Sequence, residues 1–131
     1  VTNEIAVTFP GNLKVEASVG DFSVLTDQPE KSGGDNAAPS PSELFTTSIA
    51  TCAGYFALKF CRARGIDTTT MRLNMKYAWD KDQKRWPKMS IELQLPDGFP
   101  AKYRKAIIKA MDQCVVKKHI LQPPEFELTT V

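Results

Sequence analysis

The sequence predicts an α+β fold, and three observations carry that prediction. Hydrophobic residues alternate with period two near the N-terminus, a second alternating pair of segments follows residue 70, and a long apolar run with helix punctuation separates them. At 131 residues the chain suits one domain, 1–131, large enough to bury a core.

Ile5, Val7 and Phe9 share one strand face, Leu13, Val15 and Ala17 a second, and Phe22 and Val24 a third. Pro10-Gly11-Asn12 and Gly20-Asp21 supply the turns, so this stretch is expected to form a three-stranded meander. The segment Asp27–Ser40 is long and rich in turn formers. Such loops are usually functional or disordered, and Gly33-Gly34 is equally consistent with a flexible hinge alone. Ser40-Pro41-Ser42-Glu43 is a capping box with Pro at the first helical position. Arg62, Arg64 and Gly65 mark the end of the same helix.

Almost every face of that helix is apolar, which predicts a helix enclosed on most sides. The stretch Leu44–Cys61 is short for a bilayer span and contains Lys59, so a core helix is expected rather than a membrane one. Met71, Leu73, Met75, Tyr77 and Trp79 then alternate with polar residues, answered by Met89, Ile91, Leu93 and Leu95 across the turn Asp80–Arg85. These make a hairpin with one wet and one buried face. A second helix is expected from about Pro100, with Tyr103, Ile107, Ala110, Met111 and Cys114 as its buried stripe. Phe126 and Leu128 suggest a short last strand. So few elements cannot cover the first helix, which predicts a homodimer with the central helices sandwiched between copies.

The net charge of +2, from 17 basic and 15 acidic residues, argues against a nucleic-acid binder. Basic residues look scattered, with no aromatic-interleaved stripe. Lys117-Lys118-His119 is expected to follow a helix and complement its negative end. The chain opens on Val1 without a basic-then-apolar leader, so no secretory signal is expected in it. Three widely spaced cysteines do not make a disulfide framework and point to a reducing cytoplasm.

Those cysteines are the strongest chemical candidates. Cys52 lies well inside the first helix, where that helix's own N-terminus does little for its acidity, and a lone Cys is more often a small buried hydrophobe. Cys61 falls on the opposite face of the helix, ~13 Å further along, too far for a bridge within it. Cys114 sits on the buried stripe of the other helix, so a pairing with Cys52 is geometrically open. His119 is the sole histidine, and neither a metal-ligand spacing nor a phosphate loop is present.

The pattern Gly33-Gly34-Asp35, Ser40-Pro41-Ser42-Glu43-Leu44-Phe45 and Cys52, with Cys114 a further 62 residues on, closely resembles the OsmC/Ohr family. This is the family of osmotically inducible protein C and the organic hydroperoxide resistance proteins, and the chain looks closest to its OsmC-like branch. The resemblance implies an OsmC-like fold in an intertwined homodimer. For the peroxidase members it also implies that Cys52 attacks an organic hydroperoxide and becomes a sulfenic acid. Cys114 would then form a disulfide with it, reduced by an external dithiol such as a lipoyl group, with no bound cofactor or metal.

Those members resemble one another in carrying a Glu ten residues before the first Cys and an Arg on an early strand. Here Ser42 holds the first position, with Glu43 nine before Cys52, and the cations ahead of the helix are Lys14 and Lys31. Glu43, Lys14 and Lys31 are accordingly the possible accessory residues. The alternative is a non-enzymatic dimer that binds a small apolar or electrophilic molecule between its helices.

Overall fold

A computed structural model describes residues 2–131. Strands β1 (Ala6–Gly11), β2 (Lys14–Val19) and β3 (Phe22–Thr26) precede helix α1 (Pro41–Ala63). The hairpin β4 (Arg72–Tyr77) and β5 (Met89–Gln94) follows, then α2 (Arg104–Met111) and α3 (Val115–Leu121). The chain divides into two compact units, the first ending at Thr47 and the second beginning at Ser48.

In the first unit the expected meander forms, in the order β1-β2-β3, with both pairings antiparallel. The β1–β2 register slips between Thr8 and Gly11, where Pro10 has no N–H to give the ladder. Asn12, at φ 47°, turns the chain, and its side-chain amide donates to Gly33 O at 3.0 Å and Asp35 Oδ1 at 3.2 Å. The loop after β3 is therefore tied back to the first hairpin.

That loop is built around Asp27, whose side chain is fully buried. Its carboxylate accepts backbone N–H groups from Gln28 (2.8 Å), Asp35 (3.2 Å) and Ala37 (3.0 Å). These donors, with Lys14 at 3.9 Å, outweigh the cost of burial and hold its pKa below the usual carboxylate range. Gly34 is also required by space, since a Cβ there would lie 2.0 Å from Gln28 O. Asn12, Asp27 and the close approach at Gly34 together set the path of the segment.

The capping box closes as expected. Glu43 N–H donates to Ser40 Oγ at 3.3 Å, and Glu43 Oε1 accepts from Ser40 N–H at 3.2 Å. At the far end Gly65, at φ +65°, lets Ile66 N–H reach Cys61 O at 3.0 Å, which stops α1.

The second unit holds the main core. Ala53, Ala57, Phe60 and Cys61 of α1 pack with Ile107 and Met111 of α2, and Leu73 and Leu93 of the hairpin cover them. The hairpin register sets Leu73 opposite Leu93, Met75 opposite Ile91 and Tyr77 opposite Met89 on the apolar face. At 23 residues α1 is longer than Leu44–Cys61, and by length and composition alone it would suffice to cross a membrane. Its inward face instead builds this core. Within the chain α1 is not enclosed on most sides, because Phe45, Tyr55 and Leu58 are exposed.

Two further expectations fail. The second helix does not run on through Cys114. After a 3-10 turn at Ala101–Tyr103, α2 ends at Met111, and the polar pair Asp112-Gln113 turns the chain before α3 begins. Lys117-Lys118-His119 consequently lies inside α3, where His119 Nδ1 donates to Val115 O at 2.8 Å. No strand forms at Phe126 and Leu128. They are 82% and 96% exposed, and neither described sheet offers them an edge that is paired.

Candidate functional site

Helix α1 holds Cys52 near its middle with its side chain half-buried, one position before the core residue Ala53. The break after α2 delivers Cys114 to the same place. Cys114 is the N-cap of α3, with φ −56° and ψ 119°, and its sulfur accepts the Lys117 N–H at 3.3 Å. Its backbone carbonyl takes the Lys118 N–H at 3.0 Å, so the residue is held at both ends.

The groups that favour the charged form of the Cys52 sulfur are the Cys114 side chain and the backbone N–H groups of Val116 and Val115. Burial pushes the Cys52 thiol up, but together these groups favour the thiolate more strongly, and the net pKa lies below its ordinary value. Cys114 moves the opposite way. Burial raises it and the neighbouring Cys52 raises it further, against the Lys117 and Val116 N–H groups, which lower it. The two sulfurs are thus shifted in opposite directions, Cys52 down and Cys114 up, which is the asymmetry a nucleophile and its resolving partner need.

The accessory residues expected from the sequence are Glu43, Lys14 and Lys31. Within the chain, the groups that lower the Cys52 pKa are the Cys114 side chain and the backbone N–H groups at the start of α3. Lys14 is bonded to Asp35 and sits near Asp27 in the first unit. Lys31 lies exposed in the 3-10 turn Glu30–Ser32, and Glu43 is engaged in its capping box. Arg62 is exposed, while Arg64 stacks over Phe60 with its guanidinium carbon 3.6 Å from the ring centroid.

Cys61 is fully buried in the core, and burial raises its thiol pKa, offset in part by Arg64. It packs and takes no part in the pair. Beside the pair lies a cavity of about 360 Å³ that opens on Cys114 and has Ile49, Ile91, Ile108 and Met111 in its apolar wall, with Lys105 and Lys109 also lining it. Among the described residues no group of three or more His, Cys, Asp or Glu side chains is placed to hold a metal. The donors from Val115 and Val116 were missed in the sequence because Cys, unlike Ser, Asp or Asn, does not announce an N-cap. Asp112-Gln113 in the middle of an apolar stripe was the available signal.

The OsmC-like protein profile matches residues 33–129. No curated protein matches the chain by sequence. Among solved structures, a Psychrobacter arcticus protein named for osmotic stress induction and a detoxification response is 24% identical, with a TM-score of 0.74 over 90% of this chain and 87% of that one. An OsmC-like protein from Mycoplasma pneumoniae is 14% identical, with a TM-score of 0.70 over 94% and 89%. The organic hydroperoxide resistance protein OsmC from Legionella pneumophila is 18% identical, with a TM-score of 0.56 over 92% and 89%. At these identities the structural likeness speaks for the fold, while the profile covers both the Gly-Gly-Asp loop and the two cysteines of the pair. The chain belongs to the OsmC-like protein family.

Proposed function

We propose that the protein reduces organic hydroperoxides with the Cys52–Cys114 pair and so serves in oxidative-stress defence. The observation that carries this is the opposite shift of the two thiols, Cys52 lowered by Cys114 and by the Val116 and Val115 N–H groups, and Cys114 raised by burial and by Cys52. The thiolate attacks the terminal oxygen of the hydroperoxide. The O–O bond breaks, the alcohol leaves with a proton from the medium, and Cys52 becomes a sulfenic acid. The Cys114 sulfur then displaces hydroxide from that sulfenic sulfur as its proton is given up, so a disulfide and water form. An external dithiol, such as a lipoyl group, supplies the two electrons that restore both thiols. The name of the Legionella pneumophila relative, an organic hydroperoxide resistance protein, supports this substrate class.

The reading includes a homodimer in the cytoplasm. Phe9 and Phe22 on the first sheet are 79% and 74% exposed, and Tyr55 and Leu58 of α1 are 56% and 45% exposed, an apolar area that a second copy would cover. A reducing compartment keeps the thiols supplied with electrons. One observation favours the alternative of a ligand-binding dimer: the apolar cavity opens on Cys114, the less acidic sulfur.

Stopped-flow mixing of the reduced protein with cumene hydroperoxide separates the two. The peroxidase consumes one equivalent without added dithiol and turns over with dihydrolipoamide. Cys52→Ser abolishes consumption, and Cys114→Ser leaves one turnover with a dimedone-reactive sulfenic acid on Cys52. Binding of cumene hydroperoxide without its consumption by the wild-type chain would overturn the enzymatic reading.

A further inference from the structure

We propose that the tip of the β4–β5 hairpin is a docking surface for bilayers containing anionic phospholipid. Between Tyr77 and Met89 the chain closes through backbone bonds from Asp80 N–H to Arg85 O and from Lys84 N–H to Asp80 O, both 2.8 Å. The Asp80 carboxylate is turned onto the turn itself, accepting N–H groups from Asp82 (2.8 Å) and Gln83 (2.9 Å). Around it stand Lys76, Lys81, Lys84, Arg85 and Lys88, all exposed. With Arg85 set against Asp80, the stretch between Tyr77 and Met89 carries three lysines and one remaining carboxylate, Asp82. None of the ion pairs among the described residues engages these cations. Cations that looked scattered in the sequence are thus gathered at one end of a hairpin, and they are interleaved with aromatic residues.

The aromatic residues supply the second half of the argument. Trp86 packs against Tyr77 and Trp79 with ring centroids 5.6 and 5.4 Å away, at interplanar angles of 90° and 80°. Trp79 is 55% and Tyr77 42% exposed. Indole and phenol rings, with an apolar body and a polar edge, settle at the headgroup level of a bilayer. Clustered Lys and Arg are drawn to an anionic leaflet over a Debye length. A single-stranded nucleic acid would instead stack its bases on open ring faces, whereas these rings are packed edge to face on one another. Charge and ring arrangement together favour the lipid surface.

Trp79 and Trp86 are the only two tryptophans in the chain, so tryptophan emission, excited selectively over tyrosine, reports from the tip alone. Full-length protein is mixed with vesicles of equal parts phosphatidylglycerol and phosphatidylcholine, or of phosphatidylcholine alone, and followed by emission and co-sedimentation. The expected result is a blue shift and sedimentation with the anionic vesicles only, reversed by 0.5 M salt. The variant Lys81→Gln/Lys84→Gln/Lys88→Gln should bind about 100-fold more weakly, with its circular dichroism melt unchanged. Trp79→Ala should keep the charge attraction and lose most of the blue shift.

Four results would overturn the proposal. One is no binding to the anionic vesicles, and another is binding indifferent to the triple substitution. The third is a triple variant whose particle mass by light scattering differs from the wild type, which would make the tip a contact between copies. A blue shift with a single-stranded oligonucleotide at lower concentration than with vesicles would likewise replace lipid by nucleic acid.

Discussion

Cys52 and Cys114, 62 positions apart in sequence, act on one another's acidity: Cys114 lowers the pKa of Cys52, and Cys52 raises that of Cys114. The interaction exists because α2 stops at Met111 and α3 restarts with Cys114 as its N-cap. That restart brings the N–H groups of Val115 and Val116 with it. The position of one helix break therefore decides both the pairing of the thiols and their difference in acidity.

The pH dependence of alkylation tests this directly. The thiolate is the nucleophile, so reactivity rises with pH through each thiol's pKa. Cys52 should react first with iodoacetamide, with a midpoint below the ordinary ~8.5. Cys114 should follow at higher pH, and Cys61 should react only on unfolding. Cys114→Ala removes one donor to the charged sulfur, so the Cys52 midpoint should move up and its rate at pH 7 fall roughly tenfold. Peptide mass spectrometry across the pH series reads all three sites, and a Cys52 midpoint at or above ~8.5 in the wild type contradicts the donor account.

Cys61 gives a test in which stability and chemistry separate. Its side chain is fully buried in the core with Ile107 and Met111. Cys61→Ser places a hydroxyl among apolar atoms and should cost about 1–3 kcal/mol in urea unfolding. The Cys52 alkylation profile should stay where it was. A Cys61→Ser chain of unchanged stability would mean that this position is not packed as described.

Much of this fold was legible before any coordinates. The capping box at Ser40–Glu43, the stop at Gly65 and the alternation on β4 and β5 are local signals, each set by a few neighbouring residues and its own hydrogen bonds. The opposition of Cys52 and Cys61 follows from helical periodicity alone. What escaped depends on contacts distant in sequence. The break at Asp112-Gln113 interrupts an otherwise continuous apolar stripe, and stripe periodicity reports faces, not ends. Asp27 looked like any loop carboxylate, because its three donors are supplied by its neighbour Gln28 and by residues eight and ten positions later. The strand expected at Phe126 and Leu128 has the right alternation but no paired neighbour, and alternation does not supply one.

The loop offers a steric test. A Cβ at Gly34 would stand 2.0 Å from Gln28 O and 2.8 Å from its Cα, so backbone must move to admit it. Gly34→Ala should destabilise the first unit by about 1–3 kcal/mol. Hydrogen exchange at Asp35 and Ala37, whose N–H groups are held by Asp27, should speed up together. Unchanged exchange at both amides would show that the close approach to Gln28 is not maintained in solution.

Arg64 decides between a cation and neutral donors as the source of Cys52's acidity. Its guanidinium lies 3.6 Å from the Phe60 ring centroid and 5.2 Å from that of Tyr103, and Nη1 donates to Phe60 O at 3.1 Å. The charge it lends to a thiol goes to Cys61. Arg64→Met keeps most of the aliphatic length while removing the ring contact and the bond to a carbonyl near the end of α1. A partly exposed cation–π contact of ~0.5–1 kcal/mol and one hydrogen bond of ~1 kcal/mol set the expected loss at about 1–2 kcal/mol, a drop of several degrees in Tm. The Cys52 midpoint should not move, because its donors are the Cys114 thiol and the N–H groups of Val115 and Val116. Paired measurements of Tm and of the alkylation profile on the one variant settle the matter. A lower Tm with an unmoved midpoint assigns Arg64 to packing, whereas a midpoint raised as far as in Cys114→Ala would transfer the control of Cys52 from hydrogen bonds to charge.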